Sequence, residues 1–174
     1  REQGPDIIYI FSKDILRHRR AQKEDAVWLK KGEEYKDETL SVRAFGSTDV
    51  GVSFLLQASG KKIFHAGDLN NWHWMDESTE AEWKGAEKNF LHELDDLYAY
   101  TPEVDVAMFP VDPRLGKEYM RGAGQFVTKI KTHIFVPMHF TPEYAKANAF
   151  RDFAEAHGVR FVSLTHRGQK IEIE

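Results

Sequence analysis

The stretch Lys62-Ile63-Phe64-His65-Ala66-Gly67-Asp68 decides how this chain is expected to fold. Its apolar run predicts a strand, and the Gly-Asp pair predicts that the strand ends at an acidic residue. The same pattern of an apolar run followed by a polar residue occurs twice more. Residues 106–111 are followed by Asp112, and residues 134–138 are followed by His139. Ligands bind at the carboxyl ends of strands in open α/β sheets, so these three polar residues are candidate site residues.

The segments on either side of this stretch predict a layered α/β domain. Before it the chain is rich in β-forming residues, and after it apolar residues recur at helical spacing. The order is β-hairpins followed by βαβαβαβ, which predicts one domain over residues 1–174 with a mixed sheet or two sheets. Strands are predicted at residues 6–12, 26–29, 38–45, 52–57, 62–65, 104–110, 133–138, 159–164 and 170–174, and helices at 79–100, 116–131 and 141–157.

Composition excludes several classes of protein. With 174 residues, 41% of them hydrophobic, the chain is long enough to bury a core. Its net charge of −4 argues against nucleic acid or an anionic membrane surface as partner, and no apolar run could span a bilayer. The absence of cysteine excludes disulfides and thiolate ligands and agrees with a cytoplasmic location. Any metal ion must therefore be held by His, Asp or Glu.

Two interpretations of the three strand ends remain open on the pattern alone. Two carboxylates and an imidazole could form an oxygen and nitrogen site for a divalent ion. Equally, an aspartate after glycine often only makes a turn, and a histidine before a helix is often structural.

Three local sequences carry a resemblance to a known family. These are His65-Ala66-Gly67-Asp68, the strand sequence at residues 48–56, and Pro137-Met138-His139-Phe140. In order and spacing they resemble metallo-β-lactamase superfamily proteins over residues 5–174, and they are most similar to the ascorbate-6-phosphate lactonase-like branch.

The resemblance implies a four-layer αββα sandwich with one or two divalent ions, zinc or manganese, at the sheet edge. It implies a hydrolase in which a metal-bound hydroxide attacks an ester, lactone, amide or phosphodiester of a small-molecule substrate. Asp68 would be the catalytic residue and would bridge the ions, and His139 would hold the second ion.

The chain departs from the family pattern in two places. The family's H-x-H-x-D-H cluster is absent, and Ser47 stands where the family usually has histidine. We therefore expect the fold to be incomplete at its N-terminus, and the chain alone to be inactive without a complementing N-terminal segment or a second copy. Asp49 could replace the missing ligand, which would favour manganese, or could only make a turn. The alternative function is a degenerate, non-catalytic binding or assembly module.

Three further residues are predicted to contact substrate. Trp72 and His73 follow Asp68 closely in sequence. Trp72, with Trp74, could line a substrate pocket and His73 could support the site or transfer a proton, or the segment could pack as a loop lid on the core. Arg114 could bind an anionic group, or could pair with Asp112. The basic run at residues 17–20 is interpreted as a solvated face.

Overall fold

The computed structural model describes residues 7–18, 24 and 26–173. Asp6, which begins a predicted strand, and Arg19 and Arg20 of the basic run lie outside these residues. The described strands are β1 (Ile10–Ser12), β2 (Val27–Leu29), β3 (Glu34–Lys36), β4 (Leu40–Phe45), β5 (Ser53–Ala58), β6 (Lys61–His65), β7 (Glu103–Pro110), β8 (Lys131–Met138) and β9 (Arg160–Phe161). The described α-helices are α1 (Glu80–Tyr100), α2 (Arg121–Lys129), α3 (Tyr144–Asn148) and α4 (Arg151–Ala156), and 3₁₀ helices lie at Lys13–His18 and Pro113–Glu118.

The strands from β3 to β9 form one seven-stranded sheet in sequence order. Neighbours from β3 to β6 are antiparallel, and neighbours from β6 to β9 are parallel. Parallel neighbours need a crossover connection, which α1 provides between β6 and β7 and α2 provides between β7 and β8. The predicted α/β domain with a mixed sheet is therefore confirmed.

Helix α1 covers one face of the sheet. It begins with a capping box in which Thr79 Oγ1 accepts from the Glu82 N–H and the Glu82 carboxylate accepts from the Thr79 N–H. Its fully buried side chains Phe90, Leu94 and Leu97 belong to the main hydrophobic core. Each such side chain stabilises the fold by roughly 1.5–3 kcal/mol, which fixes the helix against the sheet.

Several predicted elements differ from the structure. The helix expected over residues 116–131 begins only at Arg121, because Gly116 has φ +79 and leaves helical geometry. The helix expected over residues 141–157 is two short helices, interrupted where the buried Phe150 ring packs on Phe135 at 5.0 Å. Strand β2 pairs with β1 outside the seven-stranded sheet, β3 was not predicted, and residues 170–173 form no strand.

The described part of the chain contains no helix of the length and apolar character needed to cross a membrane.

Candidate active site

Three adjacent parallel strands bring the predicted site residues to one edge of the sheet. Asp68 follows β6, Asp112 follows β7 and His139 follows β8, and these strands are neighbours in that order. His139 Nε2 lies 3.5 Å from Asp68 Oδ1, and His139 Nδ1 lies 2.8 Å from Asp112 Oδ2. The imidazole therefore stands between the two carboxylates, with one nitrogen facing each of them.

Asp112 is held by Arg114 as well as by His139. The Asp112 side chain is 1% exposed, and both of its oxygens accept from Arg114 Nε at 3.0 Å. The Arg114 backbone N–H also donates to Asp112 Oδ1 at 3.0 Å. Burial by itself would raise the pKa of Asp112, but the hydrogen bonds from Arg114 and His139 outweigh burial and hold that pKa below its ordinary value. Asp112 is therefore an ionised hydrogen-bond acceptor near neutral pH.

His139 has an uncommon backbone conformation and an aromatic neighbour. Its φ of +66 lies in the left-handed region, which costs a residue with a Cβ roughly 1–2 kcal/mol. Its ring centroid lies 5.2 Å from that of Trp72, and the Trp72 indole N–H donates to the Asp68 backbone carbonyl at 2.8 Å. Trp72 thus contacts both residues of the Asp68–His139 pair.

The Asp68–His139 pair fits a single divalent ion in its separation. Two donors at about 2.1 Å from an ion in tetrahedral geometry lie roughly 3.4 Å apart, close to the 3.5 Å between Oδ1 and Nε2. Two side chains are fewer than a metal site usually has. The described residues contain no group of three or more His, Asp or Glu side chains placed to hold a metal. A catalytic zinc ion usually has three protein ligands. Metal binding by Asp68 and His139 therefore stays a prediction.

Close packing fixes the loop that carries Asp68, residues 66–74. Gly67 has φ +57, and a Cβ there would lie 2.8 Å from the Val52 carbonyl oxygen. A Cβ on Gly122 would lie 2.0 Å from Asn70 Oδ1, so α2 packs directly on this loop. Glycine at these two positions allows Asp68 to lie where it does.

The segment that contains Ser47 and Asp49 is joined to the same loop. Thr48 Oγ1 donates to the Asn70 carbonyl at 2.6 Å and accepts from the Asn70 N–H at 3.0 Å. Asp49 is exposed, and its backbone N–H donates to Ser47 Oγ at 3.3 Å, which is a turn. Metal binding by Asp49 stays a prediction.

The structure places His73 in the interior. It is 1% exposed, its Nδ1 accepts from the Met75 N–H at 3.1 Å, and its Nε2 lies 3.1 Å from the Glu118 carbonyl. Both ring nitrogens have partners other than Asp68 and His139. Substrate contact by His73 therefore stays a prediction that requires the ring to leave these partners.

A cavity of about 260 Å³ opens beside His139 and Arg114. Its wall comes from the 3₁₀ helix Pro113–Glu118 and from the turn at residues 139–143. Within this turn only His139 was a predicted site residue. The lining residues are Asp112, Pro113, Arg114, His139, Phe140, Thr141 and Glu143.

The chain matches no protein-family model, and no curated protein matches it in sequence. Solved structures match its fold. A protein named as a metal-dependent hydrolase from Parabacteroides distasonis matches with TM-score 0.62 and 15% identity, over 91% of this chain and 64% of that one. Igni18, a metallo hydrolase from Ignicoccus hospitalis, matches with TM-score 0.60 and 14% identity, over 93% and 67%. Zn²⁺-bound PqqB from Methylobacterium extorquens matches with TM-score 0.53 and 14% identity, over 92% and 64%.

At these identities the likeness shows the fold, which is of the metallo-β-lactamase type, as predicted. The chain spans 64% of the length of the first of these structures, so the activity of a whole protein does not follow from it. One fold hosts many reactions, and the function must be argued from the site. The ascorbate-6-phosphate lactonase-like branch stays a prediction.

Proposed function

We propose that this protein is a metal-dependent hydrolase in which Asp68 and His139 hold a divalent ion, zinc or manganese, at the sheet edge. The separation of 3.5 Å between Asp68 Oδ1 and His139 Nε2 carries the proposal, because it suits two ligands of one ion. The shared fold of proteins named as metal-dependent hydrolases supports it. A further ligand is required, and Asp49 is proposed because its segment is joined to the Asp68 loop by Thr48.

The proposed reaction is hydrolysis of an ester, lactone, amide or phosphodiester in a small molecule. When bound, the ion would lower the pKa of water and polarise the substrate. Asp68 accepts a hydrogen bond from the attacking water and orients it. Arg114 has its guanidinium in the wall of the cavity and binds an oxygen of the substrate, and Trp72 covers His139 from the side.

Metal titration of the purified chain tests this proposal. Calorimetric titration with Zn²⁺ and with Mn²⁺ is expected to show binding that Asp68→Ala and His139→Ala each abolish. His133→Ala is the matched control for His139, because His133 lies at the other end of β8 and pairs with Glu103. Unchanged metal binding in both site variants would contradict the proposal.

A second candidate function is a non-catalytic binding or assembly module of the same fold. The absence of a three-residue metal group among the described residues favours it. The two candidates differ in two measurements. The module predicts no metal binding, and it predicts no turnover of ester, lactone, amide or phosphodiester substrates by any longer form of the protein.

We also propose that the chain acts with a complementing segment or with a second copy, in the cytoplasm. Apolar side chains near the start of the described residues support this, because Ile7 and Ile8 are 53% and 57% exposed. Sedimentation velocity tests it. If the chain is strictly monomeric and binds metal tightly by itself, it needs neither a complementing segment nor a second copy, and this proposal is wrong.

A further inference from the structure

We propose that Asp112 is a positioning residue that fixes the orientation and tautomer of His139, so that Nε2 presents a lone pair toward Asp68. The inference rests on the proposed function in one respect, namely that Nε2 is the atom that would bind the ion. Asp112 itself would not touch the ion or the substrate.

The hydrogen bonds of Asp112 determine its role. Arg114 donates to it through Nε and through the backbone N–H, and neither group can accept a hydrogen bond. Asp112 therefore acts as a carboxylate that only accepts. His139 Nδ1, 2.8 Å from Asp112 Oδ2, must then donate, which puts the proton on Nδ1 and leaves Nε2 unprotonated in the neutral ring.

A competing contact exists and is weaker. Arg114 Nη2 lies 3.3 Å from His139 Nδ1, and this would be a hydrogen bond only if Nδ1 accepted. In that tautomer the lone pair of Nδ1 would face the carboxylate oxygen of Asp112 at 2.8 Å. In the Nδ1–H tautomer the lone pair of Nε2 faces Asp68 Oδ1 at the longer distance of 3.5 Å, so the repulsion between acceptors is weaker there. The shorter contact and the charge of Asp112 favour the Nδ1–H tautomer.

The surroundings also limit rotation of the ring. Trp72 packs on it at a centroid distance of 5.2 Å, and Asp112, which contacts Nδ1, is itself held by Arg114. This is the arrangement in which a carboxylate orients a metal-binding histidine, where removal of the carboxylate typically weakens metal affinity by 10–100-fold.

Two measurements on the full chain test the inference. Nitrogen-15 NMR of the metal-free protein is expected to show the Nδ1–H tautomer in the neutral form of the His139 ring. Asp112→Asn is expected to mix the two tautomers, because an amide can donate as well as accept, and to weaken binding of Zn²⁺ alone by about 10–100-fold. Asp112→Glu is expected to retain the Nδ1–H tautomer.

Asp105→Asn is the matched control, since Asp105 lies near the other end of β7 and accepts from the Lys62 N–H. It should leave both the tautomer and the Zn²⁺ affinity unchanged. An Nε2–H tautomer in the native chain would overturn the inference, as would equally tight Zn²⁺ binding by Asp112→Asn.

The tautomer measurement separates this inference from the proposed function. If the native chain binds no Zn²⁺ while its His139 tautomer still responds to Asp112→Asn, the metal proposal fails and the positioning role stands. If Asp112→Asn does not fold, the native tautomer and the Asp112→Glu variant decide, because a purely structural Asp112 predicts no preference for Nδ1–H.

Discussion

The 66–74 loop after β6 and the 139–143 turn after β8 each carry a histidine, and the two rings have opposite surroundings. His73 is 1% exposed, and both of its nitrogens bond to backbone groups. His139 is 32% exposed, and its nitrogens face two carboxylates. The contacts of His73 stabilise the loop and leave neither ring nitrogen free to bind a ligand. The contacts of His139 leave Nε2 directed at Asp68. A histidine near a site is thus functional or structural according to what its nitrogens contact.

The largest expected effect is that His73→Ala mainly lowers stability, whereas His139→Ala mainly removes Zn²⁺ binding. His73→Ala leaves the Glu118 carbonyl and the Met75 N–H without partners, so we expect the free energy of unfolding to fall by about 3 kcal/mol. His139→Ala should lower it by less than about 1 kcal/mol but should abolish Zn²⁺ binding. Urea denaturation and calorimetric titration measure the two quantities.

The exposed His92 on α1 provides the control, since His92→Ala should change neither quantity. If His139→Ala is more destabilising than His73→Ala, the contrast between a structural His73 and a ligand-binding His139 is wrong.

A smaller effect is expected from the glycine that shapes the loop. Gly67→Ala puts a Cβ at φ +57 and 2.8 Å from the Val52 carbonyl oxygen, so we expect destabilisation of about 2 kcal/mol and weaker Zn²⁺ binding. Gly60→Ala is the matched variant, because Gly60 has φ +74 with nothing within 4 Å of its Cβ position. It should cost about 1 kcal/mol and leave Zn²⁺ binding intact. Equal costs in urea denaturation would show that the Val52 contact has no effect.

The smallest effect concerns the backbone of the 139–143 turn. Because His139 has φ +66, His139→Gly should be more stable than His139→Ala by about 0.5–1 kcal/mol. At His133, inside β8, the order should be reversed, because glycine weakens an ordinary strand position. Thermal denaturation of the four variants measures this. A less stable glycine variant at position 139 would rule out backbone strain there.

The sequence allowed the strand ends to be predicted because each apolar run stops at a polar residue, and parallel pairing then aligns those ends. It could not separate His73 from His139, because burial of a ring depends on Glu118, which is distant in sequence. The proposed role of Asp112 could not be predicted from the sequence, because it depends on the orientation of the Arg114 side chain. Strand β2 is only three residues long, and so short a run does not specify its partner.

The order of β6, β7 and β8 has a consequence for folding kinetics. Asp68, Asp112 and His139 each follow a different strand, and Asp112 and His139 are 27 residues apart in the chain. We expect such non-local contacts to form late in folding, because the loop-closure entropy of both crossovers opposes them. An ion that needs Asp68 and His139 together would therefore find its ligands only in the native chain. Added Zn²⁺ should then slow unfolding and leave the refolding rate almost unchanged.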